Sequence, residues 1–232
     1  MLRTLIARFF ASLSALTWLP LPAFAKTGHA PCVGAYPAVG WLLGVIAALV
    51  FIFALPVWPS SLAVALALGV LVILTGGTAE AAVAASGPRG VVAVVVLQLV
   101  RLIALLELTE DTVPMAFLVA LPLSQLAGVA VLFAGPSPAC HSAALMHPEA
   151  ASHRGRVVAA AFGLLPLFML TPLELGEVLG AALLALLAAL MLVRKRNLPA
   201  AAGFHFTALA VEVAVYVALN IAWAEPLQEV AL

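Results

Sequence analysis

The chain has 232 residues, of which 66% are hydrophobic and only 9% charged, with ten Lys and Arg against ten Asp and Glu. Mean hydropathy is +1.23. Soluble domains carry about 25% charged residues, so this composition excludes a soluble enzyme, a disordered regulator and a basic nucleic-acid binder, and it requires a bilayer as solvent. Membrane lipid is the expected partner, and nucleic acid is not one. The acids are themselves uneven: Asp111 is the single aspartate, against nine glutamates. Metal chemistry built on clustered aspartates is hard to accommodate in such a chain. Cys32 and Cys140 lie far apart and match no zinc spacing, so each is expected as a free thiol.

Residues 1–26 open with Arg3 and Arg8 ahead of an apolar stretch, and Ala23-Phe24-Ala25 has the form of a signal-peptidase site. Cleavage there would invert every later loop against its charge, so the segment is expected to be retained. Pro20 and Pro22 end any helix early, which suits a short helix lying at the interface. Long apolar runs then predict spans at about 38–57, 60–77, 90–108, 114–134, 157–173, 177–193 and 204–224. At 1.5 Å per residue each reaches, or nearly reaches, across a hydrocarbon core of about 30 Å. Continuous Leu, Ala and Val runs exclude the alternation of an outer-membrane strand. The expected fold is an all-α polytopic membrane bundle of about seven spans, in a single domain covering 1–232.

Charge alternates between the connecting segments. Arg3, Arg8 and Lys26 precede the first span, and Arg89, Arg154, Arg156, Arg194, Lys195 and Arg196 fall on every second crossing after it. Glu107, Glu110, Asp111, Glu174 and Glu177 occupy the opposite loops, and Glu225 and Glu229 close the chain. The positive-inside rule puts the basic loops and the N-terminus in the cytoplasm and the C-terminus outside, as for a bacterial inner-membrane protein.

Charged groups inside the spans are costly unless paired or hydrated. Arg101 lies near the middle of the third predicted span, with Gln98 three residues earlier on the same helical face. Glu212 lies in the last span, between His205 and Tyr216 on roughly one face. Arg101 and Glu212 are expected to turn inward, towards each other, either as a structural pair or as part of a site. Cys140, His141, His147, Glu149 and His153 share a loop with three prolines, but their spacing fits no metal site.

The N-terminal run Phe10-Ala11-Ser12-Leu13-Ser14-Ala15-Leu16-Thr17-Trp18-Leu19-Pro20-Leu21-Pro22 resembles the opening of the cobalamin synthase family, the adenosylcobinamide-GDP ribazoletransferases. Trp18 stands where that family usually has Arg. Tyr36-Pro37-Ala38-Val39-Gly40-Trp41-Leu42-Leu43-Gly44 resembles the family's start of the first span, and Thr75-Gly76-Gly77 its introduction to the catalytic loop. There the pattern departs: the family's aspartates are replaced by Thr78-Ala79-Glu80-Ala81-Ala82-Val83-Ala84-Ala85-Ser86, and the loop is shorter. Similarity resumes at Gly87-Pro88-Arg89-Gly90, with Arg101 in place of a family Lys. Near the C-terminus Phe204 stands where the family has an acid.

The resemblance implies a membrane transferase that joins α-ribazole, or its 5′-phosphate, to adenosylcobinamide-GDP and releases GMP. It implies Mg2+ as cofactor, with Glu80 the one carboxylate in the corresponding loop able to serve as a ligand. Glu80 and Arg101 are then the candidate catalytic residues, and Arg89, Arg194 and Arg196 the candidate phosphate binders. Plain alternatives stand beside these: Glu80 as a solvated loop acid, and the arginines as anchors of helix ends. A catalytically inactive relative, acting as a scaffold for cobalamin-assembly enzymes or as a binder of cobamide precursors, is a second reading. A small transporter lined by Arg101, Glu212 and His205 is a third.

Overall fold

The computed structural model describes residues 2–19, 31–85, 87–134, 153–196, 198 and 200–223. Within them every regular element is helical: α1 (Leu2–Leu16), a 3-10 turn (Val33–Ala35), α2 (Tyr36–Ala54), α3 (Ser60–Thr75), α4 (Thr78–Ala84), α5 (Pro88–Leu106), α6 (Val113–Ala134), α7 (His153–Leu164), a 3-10 stretch (Leu165–Met169), α8 (Pro172–Arg196) and α9 (Ala200–Trp223). The expected helical membrane bundle is therefore present. Five helices are long and apolar enough to cross a membrane, and six if α3 and α4 count as one bent span. α1 has 15 residues, an advance of about 22 Å, too short for a full crossing. The Ala23–Ala25 motif and the loop from Cys140 to Glu149 lie outside the described residues.

α2, α6 and α9 form the centre. Gly40 and Gly44, one turn apart on α2, lay its backbone directly on α6. A methyl group at Gly40 would meet the Leu121 carbonyl oxygen at 2.8 Å and Pro122 Cα at 2.9 Å, and one at Gly44 would meet the Phe117 carbonyl oxygen at 2.9 Å. The small-residue face expected of this pair thus brings two helix backbones into direct contact. Because residue 40 meets 121–122 and residue 44 meets 117, the two helices run antiparallel. α6 and α9 do so as well: the Phe204 ring fills the space beside Gly128, and Phe117 stacks edge-on against Tyr216 at 6.1 Å. Tyr36, also edge-on to Phe204 at 5.5 Å, closes the end of this core. α5 and α8 lie at the periphery, with large aliphatic side chains such as Val92, Ile103, Leu184 and Met191 exposed where lipid would be.

The run 157–173, expected as one span, is not a single helix. α7 stops at Leu164 because Pro166, at the start of the 3-10 stretch, has no N–H to offer the preceding turn. The passage is still made. Gly155 lies against Gly34 at one end of the bundle, the Trp41 indole donates to the Phe162 carbonyl at 2.9 Å, and Glu174 accepts from Trp223 at the other end. Twelve α-helical and five 3-10 residues advance about 28 Å.

These contacts sort the loops. The starts of α2, α5, α7 and α9 and the ends of α3, α6 and α8 share one end of the bundle, which carries Arg89, Arg154, Arg156, Arg194, Lys195 and Arg196. The other end carries Glu107, Glu110, Asp111, Glu174 and Glu177. The charge alternation read along the chain is thus a separation in space.

The close α2–α6 approach sets the first expectation. Gly40→Ala forces a methyl group against two backbone groups that cannot swing aside, so it should lower stability in detergent by about 1–3 kcal/mol. Gly69→Ala, where nothing lies within 4 Å, should be neutral or raise stability by up to about 1 kcal/mol. Denaturant unfolding of the two variants beside the parent chain checks the contrast, and equal effects would contradict the packing.

Candidate functional site

The Thr75-Gly76-Gly77 motif turns the chain. Gly76 and Gly77 have φ of +62° and +61°, left-handed values that an L side chain rarely adopts. The Gly77 and Gly76 amides donate to the Val72 and Ile73 carbonyls, both at 3.0 Å, so the last turn of α3 closes as a Schellman motif. Thr75 Oγ1 donates back into the same turn, to the Leu71 carbonyl at 3.0 Å. The segment after α1 covers the bend: the Trp18 amide donates to the Leu74 carbonyl at 2.8 Å, and Trp18 Cβ stacks above Gly76. α4 leaves the bend at 75° to α3 and runs back between α5 and α9. Glu80 projects from it into the bundle.

There Glu80 meets two other elements. The Gln98 side-chain amide of α5 donates to Glu80 Oε1 at 2.5 Å. One turn further along α5, Arg101 points to α9, where its terminal guanidinium nitrogen contacts Glu212 Oε1 at 2.5 Å. Both members are buried, with Arg101 4% and Glu212 5% exposed. The Tyr216 hydroxyl, one turn later on α9, donates to the same Glu212 oxygen at 2.9 Å. The Asn220 side-chain amide donates to the Ala104 carbonyl and to the Tyr216 carbonyl, which ties α5 to α9 a second time. The inward-facing pair expected from sequence is therefore formed, and the helices that hold it run parallel.

A small cavity of about 50 Å³ opens among these groups, lined by Thr75, Glu80, Arg101, Gln125, His205 and Glu212 with apolar residues between them. Glu80 Oε2, Gln125 Oε1 and Arg101 Nε are buried atoms with no hydrogen-bond partner. His205 completes the wall, its ring edge-on to Phe204 at 5.0 Å. Residues with free acceptors and a free donor thus share one lining, which suits a group that both donates and accepts, such as a hydroxyl or a water. It does not suit a magnesium cage. Among the described residues no three His, Cys, Asp or Glu side chains converge. One oxygen of Glu80 is committed to Gln98, and Glu212 is committed to Arg101 and Tyr216.

Of the residues singled out in the sequence, Glu80, Arg101, His205 and Glu212 come together at this cavity. Arg89, Arg194 and Arg196 do not line it. They are exposed at the start of α5 and the end of α8, at the same end of the bundle from which α4 enters. Phe204, which the resemblance was expected to set in place of an acid, is fully buried against Gly128 and Tyr36. Gln125 was not foreseen. It lies in an apolar stretch of α6, and its polarity was the one signal that could have marked it.

The buried pair sets the second expectation. Removing one charge strands the other, so Arg101→Met or Glu212→Leu alone should cost about 3–5 kcal/mol, whereas the double replacement should cost much less than their sum. Thermal unfolding in detergent across this cycle checks the coupling, and additive losses would rule it out.

A family model described as CobS, cobalamin-5-phosphate synthase, matches residues 8–85. No curated protein and no solved structure matches the chain. The matched stretch holds most of α1, all of α2 and α3, and the glycine bend with α4, so it ends just past Glu80 and includes the turn that carries it into the bundle. Over that segment, about a third of the chain, this integral membrane helical protein is similar to the cobalamin synthase family, a likeness that supports a role in cobalamin synthesis.

Proposed function

We propose that the chain catalyses ribazole transfer at the bacterial inner membrane, joining α-ribazole or its 5′-phosphate to adenosylcobinamide-GDP with release of GMP. The observation that carries this reading is that Glu80 and Arg101, each with a buried polar atom that lacks a partner, line one cavity. The family's TGG motif delivers the first of these groups there, through its bend. In the reaction a ribazole hydroxyl oxygen forms a bond to the phosphorus attached to cobinamide, and the bond from that phosphorus to the GMP oxygen breaks. The hydroxyl proton passes to Glu80, GMP leaves with the electron pair, and Arg101 offsets the charge that builds on the phosphoryl oxygens. A space of about 50 Å³ admits the reacting hydroxyl and not a nucleotide. The bulk of both substrates therefore lies at the basic end of the bundle. Arg89, Arg194 and Arg196 are exposed there to meet phosphates, on the cytoplasmic side by the positive-inside rule. That orientation puts the N-terminus in the cytoplasm and the C-terminus outside. No step is assigned to a metal, because the described side chains do not build a cage for one.

A second reading has its own support. α4 carries a single acid, Glu80, and the buried Phe204 stands where the resemblance sets a second acid. A relative that has lost the chemistry, and that holds a cobamide precursor for other cobalamin-assembly enzymes, would have these features. The transporter reading finds a sharp bend between α3 and α4 and a 3-10 interruption at Pro166, which are breaks of different kinds. A repeat-built transporter needs a matching break in its other half.

Purified protein supplied with α-ribazole 5′-phosphate, adenosylcobinamide-GDP and magnesium should release GMP, and Glu80→Gln should lower kcat by about 100-fold or more, the usual weight of a general base. No release beside an active family control would overturn the transferase reading. Tight binding of the cobinamide substrate in that same preparation would establish the second.

A further inference from the structure

We propose that Gln98 is a positioning residue, the clasp that fixes α4 in the bundle and selects which oxygen of Glu80 faces the cavity. The inference rests on the transferase reading for its catalytic consequence and on geometry alone for the clasp. α4 has seven residues and hangs from two left-handed glycines, so its own hydrogen bonds do little to fix its angle. A short helix on such a hinge needs a contact beyond the turn. Gln98 supplies one. Its side-chain amide reaches from α5 to Glu80 Oε1 at 2.5 Å, a bond to a charged acceptor within an apolar bundle, which is among the stronger kinds.

The bond also divides the carboxylate. With Oε1 held by Gln98, Oε2 is buried without a partner, on a residue that lines the cavity. That is the lone pair a hydroxyl proton would need. Gln98 and Arg101 lie three residues apart on α5, so one face of one helix holds Glu80 through the first and Glu212 through the second. Gln98 therefore sets the angle of α4 and, with it, the spacing between the proton acceptor and the guanidinium.

The test uses the full chain with Cys32→Ser and Cys140→Ser, and a single reporter, Ala79→Cys, on the cavity wall. Two variants of similar size separate shape from charge. Gln98→Met keeps the volume and removes the donor. Glu80→Gln removes the charge but leaves an amide oxygen for Gln98 to hold. A water-soluble maleimide should label the reporter slowly in the parent and in Glu80→Gln. In Gln98→Met it should label about tenfold faster or more, the weight of a hydrogen bond to a charged group. In the GMP-release assay Gln98→Met should lower kcat about 10-fold or more while KM for adenosylcobinamide-GDP stays within about twofold, as misplacement of a reacting group predicts. Labelling of Gln98→Met at the parent rate would overturn the clasp, whatever the activity. Fast labelling with an unchanged kcat would overturn its catalytic consequence. If the parent itself releases no GMP, the transferase reading fails and the labelling rates alone still decide the clasp. Should Gln98→Met prove unfolded, Gln98→Asn, which keeps the amide but shortens its reach, takes its place with the same expected rates.

Discussion

A guanidinium and a carboxylate within hydrocarbon must find each other, because neither can be left alone there at a tolerable cost. Much of this bundle is arranged around that requirement. Arg101 is on α5 and Glu212 on α9, helices far apart in sequence that must run parallel and in register for the two to meet. The register is held by the hydrogen bond from Asn220 to the α5 backbone, while Tyr216 steadies Glu212 from within α9. The pair thereby fixes α5, which like α8 is mostly exposed at the periphery, against the core of the bundle. It also fixes a positive charge beside the point where Glu80 arrives.

The rest of the fold brings Glu80 there. α2 and α6 approach so closely at Gly40 and Gly44 that their backbones touch, which narrows the bundle around the cavity. Two left-handed glycines end α3 and redirect the chain by 75°. The N-terminal segment covers that bend through the Trp18 amide, so the first and third family motifs in the sequence are in contact in space. The part of the chain that matches the family is thus a working unit: a helix pair, a bend, and the carboxylate the bend presents.

Much of this was legible in the sequence, and the limits of legibility have physical causes. Long apolar runs mark helices because lipid allows little else, and six of the seven expected runs coincide with helices within a few residues. The seventh, 157–173, is as apolar as the others, but Pro166 breaks the hydrogen-bond ladder inside it. Hydropathy registers the crossing and not the break. The Arg101–Glu212 pair could be anticipated because isolated intramembrane charges have few other solutions. The clasp between Gln98 and Glu80 could not. It spans a bend whose geometry depends on two positive φ values, and no periodicity relates the residues on either side of such a turn. The departures from the family pattern were plain as text, at the acid-poor loop and at Phe204. What they do was visible only in three dimensions: the loop folds into α4, and Phe204 fills the space beside Gly128.

The central claim is that Arg101 and Glu212 are in direct contact within the bilayer and that the cavity is built on that contact. Solid-state NMR in lipid bilayers tests it most directly, by measuring dipolar coupling between 15N in the Arg101 guanidinium and 13C in the Glu212 carboxyl, with Arg101→Lys as the assignment control. The account predicts strong coupling, consistent with a nitrogen-to-oxygen separation of 2.5 Å. Absence of coupling in folded protein would contradict it, and with it the position assigned to every group that lines the cavity.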